Sequence, residues 1–509
     1  MTMSYCGSKC IENMEGQGTM QDVLSNHREN ISILAAWAMY SRGLEAEFSH
    51  GVLEQLSLLS GHAKESGHGV HQMTQLLWCS IDNDDSRDLD QISSIEQLEQ
   101  GKVRVFVAVS DVDSVVKKGS PIDEHARLNT TSVYSSARVF PMLPEQLCTG
   151  LTSLNQDQDR LALITEMTFS GDGLLIESNI YRAVVRNKAK LAYDAVSEWF
   201  EGVGELPESA QKVAGMDTQL RMQDELAQKL RLLRRSQGSL ELETFQPHAV
   251  YDGDIIIDIR QQPHNRARQL IEELMIAING CTARFLAAQG TASLRRVVRS
   301  PERWQRIVEV AESYGWSLPD EPDGEALQAF LAMQHQADPL RFPDLSLVII
   351  KLMGRGEYVV ERPRGQSIGH FGLAVQDYMH STAPNRRYPD LITLRLLKST
   401  LAGEKSPYTY DELEALATHC TTQEDAAQKV ERQVRKSEAA LLLHDRRGEI
   451  FAGLIIGVGE RGTWVRIFTP PAEGRLKGDL PTLNVGQKVK VKLVSTSVER
   501  GFIDFTIVH

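Results

Sequence analysis

Five aspartates fall within nine positions, in the segment Cys79-Ser-Ile-Asp-Asn-Asp-Asp-Ser-Arg-Asp-Leu-Asp-Gln91. Carboxylates packed this densely disfavour one another's ionised form unless a positive group sits among them. A divalent cation is the simplest such group. Mg²⁺ takes carboxylate oxygens together with water and phosphate oxygens. Metal ions held in this way can activate a water and steady the leaving oxygen of a phosphodiester. The segment is not an EF-hand, because it has no Gly at the sixth position and no Glu at the twelfth. On composition alone a solvated acidic loop is the better reading, so the surrounding sequence has to decide.

Elements that could position this loop are visible on both sides. Val103–Val109 is rich in branched residues and reads as a β-strand. Leu161–Phe169 and Asn179–Val185 read the same way. Tyr193–Glu201 reads as a helix, followed by one long helix from Glu208 to Arg235. Val250–Ile259 is strand-like around an Asp252-Gly253 turn, and Gln269–Gln289 is a buried helix. Asp390–Leu401 is helical and stopped by Gly403, and Asp411–Leu442 reads as a helical pair. From Glu449 onward, four short strands with Gly turns, and room for a fifth, indicate a small barrel. Near the N-terminus, Ile31, Leu34, Trp37, Ala38 and Leu44 recur near helical spacing. This stretch can be a packing cap or a helix-turn-helix, and the cap is the favoured reading. Mixed order of helices and strands gives an α+β class.

The chain has 509 residues, enough for three or four domains at roughly 100–200 residues each. Its six cysteines form no CxxC pair, which fits a reducing compartment and buried thiols. Cys6 and Cys10 lack a second half for a metal site. No secretory signal and no apolar run of membrane-spanning length is visible, so a cytoplasmic location with no membrane partner is expected. A net charge of −13 argues against nucleic acid only weakly, because a local basic groove can exist on an acidic protein.

The pattern Ile81-Asp82, Asp88-Leu-Asp90, Ser110-Asp111-Val112, Gly119-Ser120 and Val139-Phe-Pro-Met-Leu-Pro144 resembles the catalytic domain of the ribonuclease II/ribonuclease R family. Colinear matches continue through Ser153-Leu154-Asn155, Asp159-Arg160-Leu161, Lys188–Tyr193, Ile271–Ala277, His370–Leu373 and Thr382–Asp390. The resemblance implies an RNB domain that hydrolyses single-stranded RNA processively from its 3′ end to nucleoside monophosphates. It implies Mg²⁺ as the cofactor, with Mn²⁺ able to substitute. By position, Asp82, Asp88 and Asp90 match three of the family's catalytic, metal-holding aspartates. The fourth position carries Gln91, an uncharged ligand at best. Asp84 and Asp85 offer a substitute charge, though a solvated loop tip is the slightly better reading for them.

The same resemblance implies that Arg386 contacts the scissile phosphate, a task suited to a forked, permanently charged guanidinium. Arg386 and Arg387 can also be read as surface ion-pair residues. The family's Ser-Pro-Ile is Ala383-Pro384-Asn385 here. Tyr134 matches an aromatic that stacks on the terminal base, with Leu242 loosely at the second side of that clamp. A core tyrosine is the alternative for Tyr134. Tyr193 and Glu272 match residues that read the ribose, Glu272 being preferred over Glu273. The C-terminal segment resembles the family's OB-fold RNA-binding domain. Residues 449–509 hold eight Lys/Arg against six Asp/Glu. Trp464, Arg466 and Phe468 alternate on one strand and either stack bases or fill the barrel. Lys488, Lys490 and Lys492 share a strand face suited to phosphate.

The expected division is 1–75 as an N-terminal helical region, 76–402 as the RNB domain, 403–447 as a helical segment closing it, and 448–509 as a five-stranded OB-fold. Cold-shock domains are not evident. A monomer binding single-stranded RNA, with no nucleotide cofactor, is the expected state. The alternative is an RNA-binding protein of the same fold with weakened or lost catalysis, motivated by Gln91.

Overall fold

The computed structural model describes residues 26–59, 61, 69–243, 247–261, 265–363, 365, 367–459 and 462–508. Cys6 and Cys10 lie outside the described residues. At the centre is a seven-stranded sheet. Across it run Val70–Gln72, Leu175–Arg186, Asp159–Phe169, Val103–Ser110, Gln91–Gln97, Cys79–Asp82 and Ala189–Ala192. The middle strands pair antiparallel, and parallel pairing occurs only at the two edges.

Strand alternation sorts the side chains onto two faces. In Val103–Ser110, Val105 and Val107 join Ile81, Ile95 and Met167 on one face. That face is covered by the helices Met216–Ser236 and Arg266–Ala288, through Leu220, Leu270, Leu274 and Ile278. Phe106 and Ala108 turn to the other face, beside Trp78, Leu89, Ile92 and Ile164. Burying a Val, Leu, Ile or Phe side chain contributes about 1.5–3 kcal/mol. Both faces therefore pin the sheet from which the acidic loop springs.

Two helical expectations change. The stretch 208–235 is two helices, Glu208–Gln211 and Met216–Ser236. They part at Gly215, whose φ of +83° is a left-handed conformation that interrupts the helix. Conversely, the expected pair at 411–442 is one helix of 33 residues, Tyr410–Leu442. A capping box between Thr409 and Glu412 starts it. A further unit of three helices, Trp304–Ser313, Gly324–Ala337 and Phe342–Met353, has its own core around Trp304, Phe330 and Phe342.

At the N-terminal end, His27–Tyr40 packs against Tyr410–Leu442, whereas His50–Leu58 packs against Pro121–Asn129. The two helices serve different neighbours, so they do not form a helix-turn-helix. Ile31, Leu34, Ala38 and Leu44 are buried as expected, but Trp37 is 49% exposed.

The C-terminal segment is a closed barrel of five strands: Ile450–Gly459, Gly462–Ile467, Ala472–Leu476, Lys488–Ser497 and Phe502–Ile507. Its interior holds Phe451, Val465, Ile467, Val491, Leu493 and Phe505. Gly474 makes closure possible, since a Cβ there would lie 2.5 Å from the Phe505 ring. Arg466 leaves the barrel wall to pair with Asp344 at the start of Phe342–Met353, at 2.8 and 2.9 Å. Among the described residues, no helix is long and apolar enough to cross a membrane.

Candidate active site

The acidic loop leaves the sheet at Asp82, the last residue of Cys79–Asp82, and returns at Gln91, the first of Gln91–Gln97. Leu89 is its anchor, buried against Trp78 and Ile92. The Leu89 N–H donates to Ser153 Oγ at 3.0 Å, and the same hydroxyl donates to the Arg87 carbonyl at 2.9 Å. The loop 150–159 behind it is stapled by Arg160, which donates to the carbonyls of Ser153, Gly150 and Asp159. The Ser153 and Arg160 motifs thus act as a backing plate for the aspartates.

Arg386 arrives from the opposite direction. It sits in the turn before Tyr388–Leu401, a helix that is buried on nearly all sides. Asp390 in that helix's first turn accepts the N–H groups of Thr382 and Ala383 at 2.7 and 2.8 Å, and Arg387 Nη2 at 2.8 Å. Asp390 therefore fixes the turn, and Arg387 is tied to it rather than to the acidic loop. The turn presents two donors to Asp90: the Asn385 N–H reaches Oδ1 at 2.9 Å and Arg386 Nε reaches Oδ2 at 2.9 Å. Asp90 is 2% exposed, whereas the Arg386 side chain is 41% exposed. One edge of the guanidinium grips the aspartate, and the rest is open to the site.

These contacts set the electrostatics. Burial pushes the Asp90 carboxyl up to about 7, helped by the Asp88 charge and opposed by Arg386 and the Asn385 N–H. Burial also raises Asp88; its own backbone N–H and Arg386 oppose this, and the Asp82 charge adds to it. Burial lowers the Arg386 guanidinium, but Asp90, Tyr134 and Asp82 outweigh it and leave the charge more secure than usual. The three aspartates named from the sequence thus share one electrostatic field with Arg386.

Gln91 pairs through its backbone with Val109 and is half-buried. Its amide makes no side-chain hydrogen bond among the described residues. Asp84 and Asp85 are exposed at the loop tip, closed by the Ser86 N–H to the Asn83 carbonyl at 3.1 Å. Among the described residues, no three His, Cys, Asp or Glu side chains are grouped closely enough to hold a metal. The donor types nevertheless fit a hard cation: all are oxygens, two carboxyls are raised by burial and crowding, and Arg386 is engaged by Asp90. Asp82 and Asp88 are the carboxylates left to face such an ion.

Tyr134, on the short hairpin Val133–Tyr134 and Val139–Phe140, is 42% exposed, and its hydroxyl donates to Asp88 Oδ2 at 3.5 Å. It is not a core tyrosine. Glu431 of the long helix holds its backbone N–H at 3.1 Å. Leu242 packs against the Trp304–Phe342 unit and lines the same groove as Glu272. Tyr193 opens the helix Tyr193–Phe200, with the Arg268 guanidinium 4.4 Å over its ring. Arg268 also donates to Asn83 Oδ1 at 2.6 Å, which ties the ring's cover to the acidic loop. Glu272 is exposed and lines a groove of about 220 Å³ together with Arg231, Glu241, Leu242 and Gln328. Glu273 is buried and gripped by Arg234 through two hydrogen bonds, whereas Glu272 is exposed.

In the barrel, Trp464 is half-buried and outside the interior, and Phe468 lies exposed just past the strand end. The expected row of three is therefore broken, because Arg466 is consumed by Asp344. Lys488, Lys490 and Lys492 are exposed along one face of Lys488–Ser497. The sequence reading missed Arg268, Glu431 and the Asn385 N–H. Arg268 carried a weak signal, four positions before Glu272 on a helix; Glu431 carried none.

A profile of the RNB domain matches residues 70–403, and a profile of the RNase II-type exonuclease C-terminal S1 domain matches 449–508. Ribonuclease R of Escherichia coli is 30% identical over 480 residues, covering 87% of this chain and 58% of that protein. The chain spans about three fifths of the length of the curated relatives it matches. Among solved structures, Mycoplasma genitalium RNase R in complex with ribose methylated single-stranded RNA matches with a TM-score of 0.84 at 23% identity, over 94% of this chain and 78% of that one. Yeast Ssd1, described as a pseudonuclease, matches with a TM-score of 0.64 at 17% identity, over 83% of this chain and 52% of that one.

Proposed function

The chain belongs to the ribonuclease II/ribonuclease R family of RNB-domain proteins, and from that premise we propose that it is a 3′→5′ exoribonuclease that hydrolyses single-stranded RNA to nucleoside monophosphates with Mg²⁺. The observation that carries the reading is Arg386. One edge of its guanidinium is fixed by a buried aspartate, and the rest is free beside Asp88 and Asp82.

The free edge of Arg386 binds the non-bridging oxygens of the scissile phosphate, held rigid by Asp90 so that little reorganisation is needed. Tyr134 stacks on the terminal base, a contact that tolerates any base. Tyr193 and Glu272 read the ribose, whose 2′-hydroxyl distinguishes RNA from DNA. Asp82 and Asp88, with the Gln91 amide, would hold Mg²⁺ or Mn²⁺. When bound, that ion supplies polarisation of the attacking water and charge relief at the leaving oxygen.

The second reading is an RNA-binding protein without catalysis. Gln91 favours it, since an amide brings no charge to a cation. One assay separates the two. The purified protein is incubated with 5′-labelled single-stranded RNA, with Mg²⁺ and with chelator. A metal-dependent ladder shortening from the 3′ end is expected. Tight binding without shortening at any Mg²⁺ or Mn²⁺ level supports the second reading instead.

A further inference from the structure

On this acidic chain, cations without a counter-ion stand out. Most arginines of the RNB domain are committed to carboxylates, as Arg234, Arg295 and Arg395 are. The outer face of Tyr410–Leu442 differs. Lys429, Arg432 and Lys436 are exposed at spacings of three and four, so they form one ridge about 10 Å long. Among the described residues, none of the three has a carboxylate within ion-pair distance. The ridge faces away from Glu431, which points inward to Tyr134.

The ridge does not end with the helix. Lys436 abuts the turn at Gly501, where a built Cβ would lie 2.7 Å from the Lys436 Cβ, and the exposed Arg500 is next to it. From that turn the strand Lys488–Ser497 runs back alongside the helix end. His444 Nδ1 lies 3.2 Å from Thr496 Oγ1, and the Gly448 N–H donates to the Leu493 carbonyl at 2.9 Å. Lys492 lies just past the helix end, its Cε 3.9 Å from a Cβ built at Gly448, ahead of Lys490 and Lys488 on the strand.

We propose that Lys429, Arg432, Lys436 and Arg500 form an external phosphate track. It continues the lysine face of the barrel and binds the backbone of RNA upstream of the 3′ end being cut. This rests on the exoribonuclease reading for its choice of polyanion. Unpaired cations in a row, on an otherwise acidic surface, suit a linear polyphosphate better than a single anion. The track gives affinity without sequence preference, because phosphate contacts carry no base information.

The test uses the full chain with chelator present, so that RNA is bound but not shortened. Anisotropy of single-stranded RNA of about 30 and about 6 nucleotides is measured across salt concentrations, since one OB-fold covers only about 4–16 nucleotides. The variant combines Lys429→Gln, Arg432→Gln and Lys436→Gln. Each lost phosphate contact on a single strand lowers the log–log salt slope by about 0.7, so a drop of about 2 is expected for the long RNA and none for the short one. Cleavage of the short RNA with Mg²⁺ remains at the wild-type rate. An unchanged slope with long RNA overturns the track. An equal loss on both lengths does so too, since it signals general damage. If the variant loses binding only to phosphatidylserine vesicles, the ridge is a membrane contact and the proposal falls. If wild type cuts RNA but the slope is unmoved, only the track fails. If wild type binds no RNA of either length, the exoribonuclease reading fails with it.

Discussion

Replacing Asp90 by asparagine should make stability less sensitive to rising pH while abolishing cleavage. Asp90 is almost fully buried, and its carboxyl is raised from 3.8 to about 7, by burial first and by Asp88 second. Unfolded, it loses its proton near 3.8; folded, it keeps it up to about 7. Rising pH across that window therefore favours the unfolded chain. At pH 8 the ionised group costs the fold about 4 kcal/mol, of which about 2–3 kcal/mol accumulates between pH 5 and pH 8. The attraction of Arg386 and the Asn385 N–H is already contained in that net displacement. Asp90→Asn has no titrating group, so its stability relative to wild type should improve by about 2–3 kcal/mol from pH 5 to pH 8. Urea unfolding at both pH values, in chelator, measures the difference. Binding of RNA should persist, and the 3′ ladder should disappear. A variant that loses ground between pH 5 and pH 8 refutes the electrostatic reasoning. Undiminished cleavage refutes the site itself.

Three other substitutions probe the remaining geometry. Arg386→Lys loses the Nε bond to Asp90 and the fork, so cleavage should fall by about 10²–10³ with circular dichroism unchanged; a rate near wild type excludes Arg386 from phosphate binding. Gln91→Asp adds a charge where the acidic loop rejoins the sheet, so half-maximal cleavage should need less Mg²⁺; an unmoved Mg²⁺ titration places Gln91 outside the metal's reach. Gly474→Ala forces a Cβ into the Phe505 ring and should cost about 1–3 kcal/mol in urea unfolding, and a stability equal to wild type would mean the barrel relaxes around it.

The acidic loop was legible because its three aspartates and Arg386 lie in short, ordered motifs whose identities reflect the chemistry. The strands were legible because branched residues alternate or run together, as in Val103–Ser110. What was hidden comes from tertiary placement. Glu431 holds Tyr134 across nearly 300 positions, and nothing local marks it. Arg466 looked like part of an RNA-facing row, since a strand pattern shows alternation but not which neighbour covers the outer face. Thr421 and Thr422 lie midway along the long helix, where threonine weakens helix propensity. Their hydroxyls instead bond back to the carbonyls of Ala417 and Thr418 at 2.9 Å, and packing on both ends holds the helix straight through. In contrast, 208–235 looked continuous because a single glycine is a small blemish in a periodic pattern, yet Gly215 takes a left-handed turn there.

The bond between Arg466 and Asp344 makes the barrel something other than a detachable accessory. Asp344 is half-buried, and burial raises its carboxyl even with the guanidinium in place. Kept covered but without its partner, such a charge would weaken the fold. Cutting the chain before residue 449 would remove that partner and the barrel's cover together, and open to water the face of the Trp304–Phe342 unit near the groove that Glu272 and Leu242 line. The loss of the barrel would then be felt at the groove lined by Glu272 and Leu242, so a truncated chain would report on groove integrity as much as on RNA affinity. Grafting a foreign barrel would succeed only if it brought an arginine to the same spot.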